Sequence, residues 1–433
     1  MILKNKSARK LVAVFVPAIL VSAMVSPAAR AATEISFLVD NNSISREVWT
    51  ALSEDFNKSQ SDVKVTVEYR PGGADGDNLV KTKLATGEMN DVFLYNSGSL
   101  FQAINPVKNL VELGKEPWIN TISTSFFPSV TGTDKKIYGA PFGTAMGGGI
   151  MYNRAVYEKL GLKIPLTWKE FIANCEKAKK AGYTAVIQTY KDTWTSQLLV
   201  LGDHFNVEAE SPGYSAKYTA NQAKISTNKA AFAGFAHLEE VNKRGFLNKD
   251  YKSATFNKGL EYLALGKGVH YPMLSAAIDA IVQNFPEKAN DVGIFAQPGT
   301  NAKKNGLTVW MPAGIYIPKT TKNLDAAKKF VAYIVSPASI AVQNKVVPPS
   351  GPYFIKGAKL SGKLTVVATD MLKYLNTDGR SGPALEFVSP VKGPNLEKLT
   401  VEVGSGIKTA KQGAAAYDKD VEKQAKQLGL PGW

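Results

Sequence analysis

One cysteine, Cys175, stands in 433 residues, so the chain closes no disulfide on itself and builds no cysteine-rich metal site. Its expected place is a helix, as a small buried apolar side chain. The three histidines, His204, His237 and His270, lie far apart in the chain and no H-E-x-x-H occurs, which argues against zinc. Nucleophile chemistry lacks its usual marks as well. There is no G-x-S-x-G, and the one long glycine run lacks the G-K-[ST] that a phosphate-binding loop requires. After residue 31 no segment is long and apolar enough to span a membrane. Internal repeats and low-complexity tracts are absent too.

What the chain does have begins with a basic start at Lys4, Lys6, Arg9 and Lys10, an apolar run from Leu11 to Val25, and the small-x-small box Ala29-Arg30-Ala31. This is the pattern of a secretory signal peptide over 1–31, with a mature start expected at Ala32. No cysteine lies near the cut, so a lipid anchor there is excluded. The signal segment takes five basic residues and no acidic one from a chain of +15, leaving 47 basic against 37 acidic and a mature charge of +10. The lysines are scattered and no basic-aromatic cluster appears, so nucleic acid is not the expected partner. An exported basic protein sits more readily against anionic lipid or wall polymer, and its retention should weaken with salt.

The mature chain is long enough for two cores. Strand-like Glu34–Val39, Val63–Tyr69 and Asp91–Tyr95 alternate with helical spacing over Ile44–Lys58 and up to Thr86. That rhythm argues for a parallel sheet covered by helices. In such sheets a ligand lies beyond the carboxyl ends of the strands, here the polar clusters Asp40–Ser43, Asp75–Asp77 and Tyr95–Ser99. The pattern restarts after residue 150. Thr167-x-x-Glu170 opens a helix to Ala181 as a capping box, with Trp168 expected to pack. Strands are expected at 184–188, 269–273, 291–296 and 307–317, and helices at 229–244, 255–265, 275–284 and 324–335. Three chain breaks stand out, at 140–149 with Gly147-Gly148-Gly149, at Pro312 and Gly314, and at 348–352. The glycine run reads either as a surface turn or as a crossing between lobes with its backbone exposed on the floor of a cleft.

Polar and aromatic residues gathered at strand ends suit carbohydrate, whose hydroxyls meet Asp, Asn and Lys and whose C–H faces stack on rings. Trp194 stands among Lys191, Asp192 and Thr195, a poor setting for a core tryptophan, and is expected to face a ligand. Trp310 and Tyr95 are weaker candidates, with packing as their alternative, and Trp49 belongs to the core. Carboxylate pairs for glycoside cleavage remain open, because separation in space decides that chemistry; Asp40, Asp75, Asp192, Asp279 and Glu386 are eligible.

Several stretches together carry a family resemblance: DVFLYNSGS from Asp91, IYGAPFGTAMGGGIMYN from Ile137, PLTWKEF from Pro165 and VIQTYKDTWTSQ from Val186. The GIYIPKTTKNLDAAKKFVAYIVSP run from Gly314 and SGPALEF from Ser381 complete the set. In order and spacing the chain resembles the extracellular solute-binding proteins of ABC importers, in the sugar-binding family that includes maltose-binding protein. The resemblance implies an α/β, two-lobe, periplasmic-binding-protein-like fold of type II with three interlobe crossovers. Lobe 1 is expected at 32–143 plus 313–347, and lobe 2 at 144–312 plus 348–433. It implies a monomer without cofactor, working with a pair of permease subunits in the membrane. The implied contacts are Asp40, Asn41, Asp75, Tyr95, Asn96 and Ser97 from lobe 1. Met146, Gly147 and Gly148 would lie on the floor. Lys191, Asp192, Trp194, Met273, Ser275, Trp310 and Arg380 would reach in from lobe 2. A secreted glycan-active enzyme or a wall-glycan adhesin is the alternative.

Overall fold

The computed structural model describes Met1, Ile2 and residues 31–41, 43–358, 360 and 362–433. The expected signal segment therefore falls almost wholly outside the described residues.

Two sheets carry the molecule, and the first obeys the strand–helix alternation of the sequence. Strand β1 (Thr33–Asp40) pairs in parallel with β2 (Val63–Arg70) along its whole length and with β3 (Val92–Tyr95) on its other edge. The connecting helices are Ser43–Ser59 and Gly73–Thr86. The sheet is completed in the order β2-β1-β3-β10-β4 by β10 (Ala313–Tyr316), which runs against both its neighbours, and by the edge strand β4 (Ala140–Phe142), which therefore runs with β1, β2 and β3. Its buried faces meet Trp49, Phe56 and Phe330 of the covering helices, with Phe37 edge-on to Trp49 at 4.7 Å between ring centres. Such edge-to-face pairs add to the area they bury.

The second sheet is built around the glycine run. Strand β5 (Met146–Asn153) runs antiparallel to β7 (Gly268–Leu274) on one edge and to β9 (Leu307–Trp310) and β8 (Val292–Ala296) on the other. The edges are β6 (Thr184–Val186), parallel to β7, and β11 (Ser381–Pro383), parallel to β9. A second large core forms around Phe171, Phe235 and Tyr417. Thr167 caps the helix Trp168–Lys180 through the expected reciprocal box with Glu170. Trp168 packs on His237 with its N–H on Glu240 Oε2 at 2.8 Å, and Cys175 is buried on the same helix.

The chain crosses between the sheets at residues 143–145, from β4 to β5, and at Met311-Pro312, from β9 to β10. The third passage comes later than residue 348. Val347 and Ile355 lie in the first core, Ile355 bridges Ile122, and Ala145 N donates to Pro352 O at 2.9 Å. Only at the helix Val366–Leu375, whose Val367 joins Ile294, is the chain committed to the second lobe. Pro348-Pro349 stops the preceding helix as prolines do, but Tyr353, Phe354 and Ile355 are apolar and bury against the first lobe before the chain leaves it.

Candidate functional site

The carboxyl ends of β1, β2 and β3 open onto a cavity of about 490 Å³ lined by both lobes. That size lies within the range of roughly 300–1,000 Å³ usual for small-molecule pockets. The first lobe contributes Asp40 and Asn41 after β1, Arg70 at the end of β2, and Asn96 and Ser97 after β3. Gly72, Gly73 and Asp77 add the start of a helix. Facing them are Asp192, Trp194 and Gln197, then Phe256 and Asn257, and Met273 on β7. The crossings supply Met146 and Trp310 through Pro312, and the C-terminal part of the chain returns with Glu386, Phe387, Lys392 and Glu397.

Local structure fixes each of these side chains. Trp194 sits in a short 3-10 turn (Thr193–Gln197), half-buried, with its ring 5.3 Å from that of Phe256. Asp192 accepts from the backbone N of Phe256 at 2.5 Å, which ties the Trp194 loop to the helix Phe256–Ala264. Glu397 accepts from Thr193 Oγ1 at 2.6 Å. Trp310 donates its indole N–H to Glu386 Oε2 at 2.9 Å, and Lys392 Nζ occupies the other oxygen of that carboxylate. Ser97 Oγ donates to the carbonyl of Pro312 at 2.7 Å, holding the strand end against the second crossing. Asn41 accepts from Arg46 Nε at 2.7 Å.

Charge on this wall is mostly negative, with Asp40, Asp77, Asp192, Glu386 and Glu397 against Arg70 and Lys392. Burial pushes the Asp77 carboxyl up from its ordinary range. Arg70, Lys81 and Lys392 pull the other way, and the Glu397 charge reinforces the rise. Arg70 is buried and turns its guanidinium to the carbonyls of Pro71 and Leu94 at 3.1 and 3.4 Å. Among the described residues no cluster of His, Cys, Asp and Glu is placed to hold a metal ion.

The residues singled out in the sequence divide accordingly. Asp40, Asn41, Asn96, Ser97, Met146, Asp192, Trp194, Met273 and Trp310 lie together on the cavity wall. The others lie elsewhere. Asp75 is exposed on the first turn of its helix, and Lys191 is exposed beside Asp192. Tyr95 is buried under the strand end, at 1% exposure. Ser275 is buried and accepts from Gly147 N at 2.9 Å. Arg380 stands over Tyr374 at 5.5 Å and donates to Asn305. Gly147 and Gly148 are interior to β5, hydrogen-bonded on both edges, and a Cβ at Gly148 would come 2.1 Å from Trp310 Cζ3. The glycines are there for close approach, but the group that approaches is the protein's own indole. Asp77 belongs to a strand-end cluster the sequence marks, and Arg70 immediately follows the expected strand Val63–Tyr69 without being marked. Phe256, Phe387, Lys392 and Glu397 carry no local signal and arrive through tertiary packing.

The two lobes touch across this cavity. Gly73, at φ +64°, is close to both the Trp194 ring and Glu397, whose nearest atoms each lie 3.8 Å from where a Cβ would stand. Gly98, at φ +73°, lies against Glu386 and Phe387.

Comparison with known proteins bears on the same architecture. The family model described as bacterial extracellular solute-binding protein matches residues 41–341. A multiple sugar-binding protein of Streptococcus mutans is 27% identical over 314 residues, 71% of either chain. The sn-glycerol-3-phosphate-binding periplasmic protein UgpB of Pectobacterium atrosepticum is 24% identical over 442 residues, 90% of this chain and 97% of its own. Among solved structures, a chitin oligosaccharide binding protein superposes with a TM-score of 0.78 at 18% identity, covering 91% of this chain and 100% of its own. With the family model spanning more than half the sequence and two lobes enclosing one cavity, the chain belongs to the bacterial extracellular solute-binding proteins.

Proposed function

We propose that this protein is the exported receptor of an ABC importer, capturing a mono- or oligosaccharide between its lobes and delivering it to a pair of membrane permease subunits. The observation that carries this reading is the mixture on one wall. Trp194 and Phe256 present ring faces, while Asp192, Asp77, Asn96 and Asn41 present acceptors and amides around them. A sugar ring has the matching duality, with an apolar C–H face and a rim of hydroxyl donors. The S. mutans relative and the chitin-oligosaccharide structure support the same class. The signal-like segment over 1–31 supports export.

Binding between lobes acts by differential affinity. A solute touching both lobes stabilises only the closed arrangement, the form a permease would recognise. At a hundredfold excess over Kd it should raise unfolding stability by about 2.7 kcal/mol. The test is a thermal-shift screen with mono- and oligosaccharides beside amino acids and polyamines, followed by small-angle scattering with each hit. A saccharide that raises Tm and compacts the particle is the expected result. Polyamine or amino-acid hits without a single saccharide refute the reading, and product release from an oligosaccharide favours a glycan-active enzyme instead.

A further inference from the structure

The chain as a whole is strongly basic, which by itself favours an anionic ligand; the cleft has the opposite character. Resting on the carbohydrate reading above, we infer that the cleft admits neutral and amine-bearing saccharides and refuses anionic ones, uronates and sugar phosphates alike. Two observations carry this. The first is the balance of the wall, where five carboxylates stand against two cations. The second is what those cations do. Lys392 is held by Glu386, with both side chains nearly buried, and Arg70 gives its NH groups to the carbonyls of Pro71 and Leu94. Lys392 thus has its charge partner inside the protein, and the one Arg70 nitrogen without a partner, Nε, is buried out of reach of a carboxylate or phosphate in the cleft.

The acids outnumber them and come from both sides of the cleft. Asp77 comes from the first lobe and Glu397 from the second, and both line the same cavity. Closing the lobes draws these like charges together. A ligand that places O–H or N–H donors between them offsets that repulsion, while an anion adds to it and loses its own hydration with no donor in return. The glycerol-phosphate-binding relative is thus a guide to the fold of this chain but not to its ligand.

The experiment is calorimetric titration of the mature protein with matched probes. The neutral set is raffinose, maltotriose, xylotriose and chitotriose, and the amine-bearing probe is fully deacetylated chitotriose. The anionic set is trigalacturonate and sn-glycerol 3-phosphate. At least one neutral or amine-bearing probe should bind tenfold or more tightly than either anion. An anion binding within tenfold of the best other probe overturns the inference while leaving the carbohydrate reading in place if that anion is the uronate. Silence from every saccharide overturns both. In a doubly substituted Asp77→Asn, Glu397→Gln protein, checked for folding by its melting profile, the gap between neutral and anionic probes should narrow by tenfold or more. An unchanged gap would mean that these carboxylates do not set the selectivity.

Discussion

Replacing Gly148 by alanine should damage this protein well beyond what one methyl group suggests. The added Cβ would lie 2.1 Å from Trp310 Cζ3 and 2.8 Å from Cε3 and Cη2, so the indole must move by more than an ångström to reach ordinary contact. It has little freedom to do so. Trp310 is 6% exposed, and its N–H is fixed on Glu386, whose other oxygen is held by Lys392. Overpacking of this kind costs about 1–3 kcal/mol, and loss of a hydrogen bond to a charged group adds about 1.5–3 kcal/mol. Because a partial shift relieves both, the expected total is about 2–4 kcal/mol, or a fall in Tm on the order of 5–15 °C for a lobe of this size. The assay is a circular-dichroism melt of Gly148→Ala beside Gly147→Ala. The Gly147 variant meets the end of Leu307 at 2.6 Å, with Leu307 Cγ at 3.3 Å and Met371 Cγ at 3.4 Å, aliphatic groups that yield more easily than the indole, and should suffer less. Trimming Trp310 to Phe should remove most of the Gly148→Ala penalty, a coupling that a double-mutant cycle reads directly. Equal damage from the two glycine variants, or an undiminished penalty in the Trp310→Phe background, refutes the reasoning.

Trp194→Ala should weaken saccharide binding by ~1–3 kcal/mol, the scale of a buried aromatic anchor, with little loss of fold; titration giving an unchanged Kd removes Trp194 from the site. His270 is fully buried, with one ring nitrogen at 2.7 Å from Tyr157 Oη and the other at 2.7 Å from the carbonyl of Ala185, and burial holds its pKa down to about 4. The unfolded chain takes up this proton first, so stability is retained above about pH 6.5 and should decline by roughly 3 kcal/mol as pH falls towards 4. Imidazole NMR signals of His270 that titrate near pH 6.5 in the folded protein contradict this. Mass spectrometry of the secreted protein should find Ala32 at its start, and an intact Met1 would remove the export argument.

Much of the scaffold was legible because its elements are periodic. The strand–helix alternation from Glu34 to Tyr95 and the Thr167–Glu170 box required only spacing and capping chemistry. The strand-end rule reached Asp40, Asn41, Asn96 and Ser97 for the same reason, since the end of a parallel strand can be read without knowing what faces it. The break at 140–149 does hold a crossing, at residues 143–145, but the glycines themselves lie inside β5 and not on a cleft floor. A row without Cβ atoms looks the same whether a ligand or the protein's own Trp310 approaches it. Nor does a proline pair say whether a helix merely ends or the chain changes lobe; burial of Phe354 and Ile355 decided that. Glu386, Lys392 and Glu397 return to the cleft from far along the chain, and no local pattern announces a contact made only in three dimensions.

The first crossing and the Pro348–Pro352 stretch reach one partly buried acid, Asp279, through Ser350. Ser350 lies 3.2 Å from Thr144 Oγ1 of the first crossing and donates to Asp279 Oδ2 at 3.4 Å, on the second-lobe helix Ala277–Asn284. The other oxygen of Asp279 is buried and meets no donor. Desolvation therefore pushes this carboxyl well above its usual range, with Ser350 opposing only weakly. The unfolded chain ionises Asp279 near pH 4. Between there and the raised folded pKa the native state holds the extra proton, so stability is lost as pH rises. Asparagine has the same shape and no proton to lose. Asp279→Asn should accordingly melt higher than the native protein at pH 7, lose the advantage at pH 4, and keep its saccharide affinity, because the hinge contact to Ser350 survives. A variant that melts lower at pH 7 would mean that the native protein uses an ionised carboxylate here, and the account of Asp279 as holding its proton at neutral pH would fail.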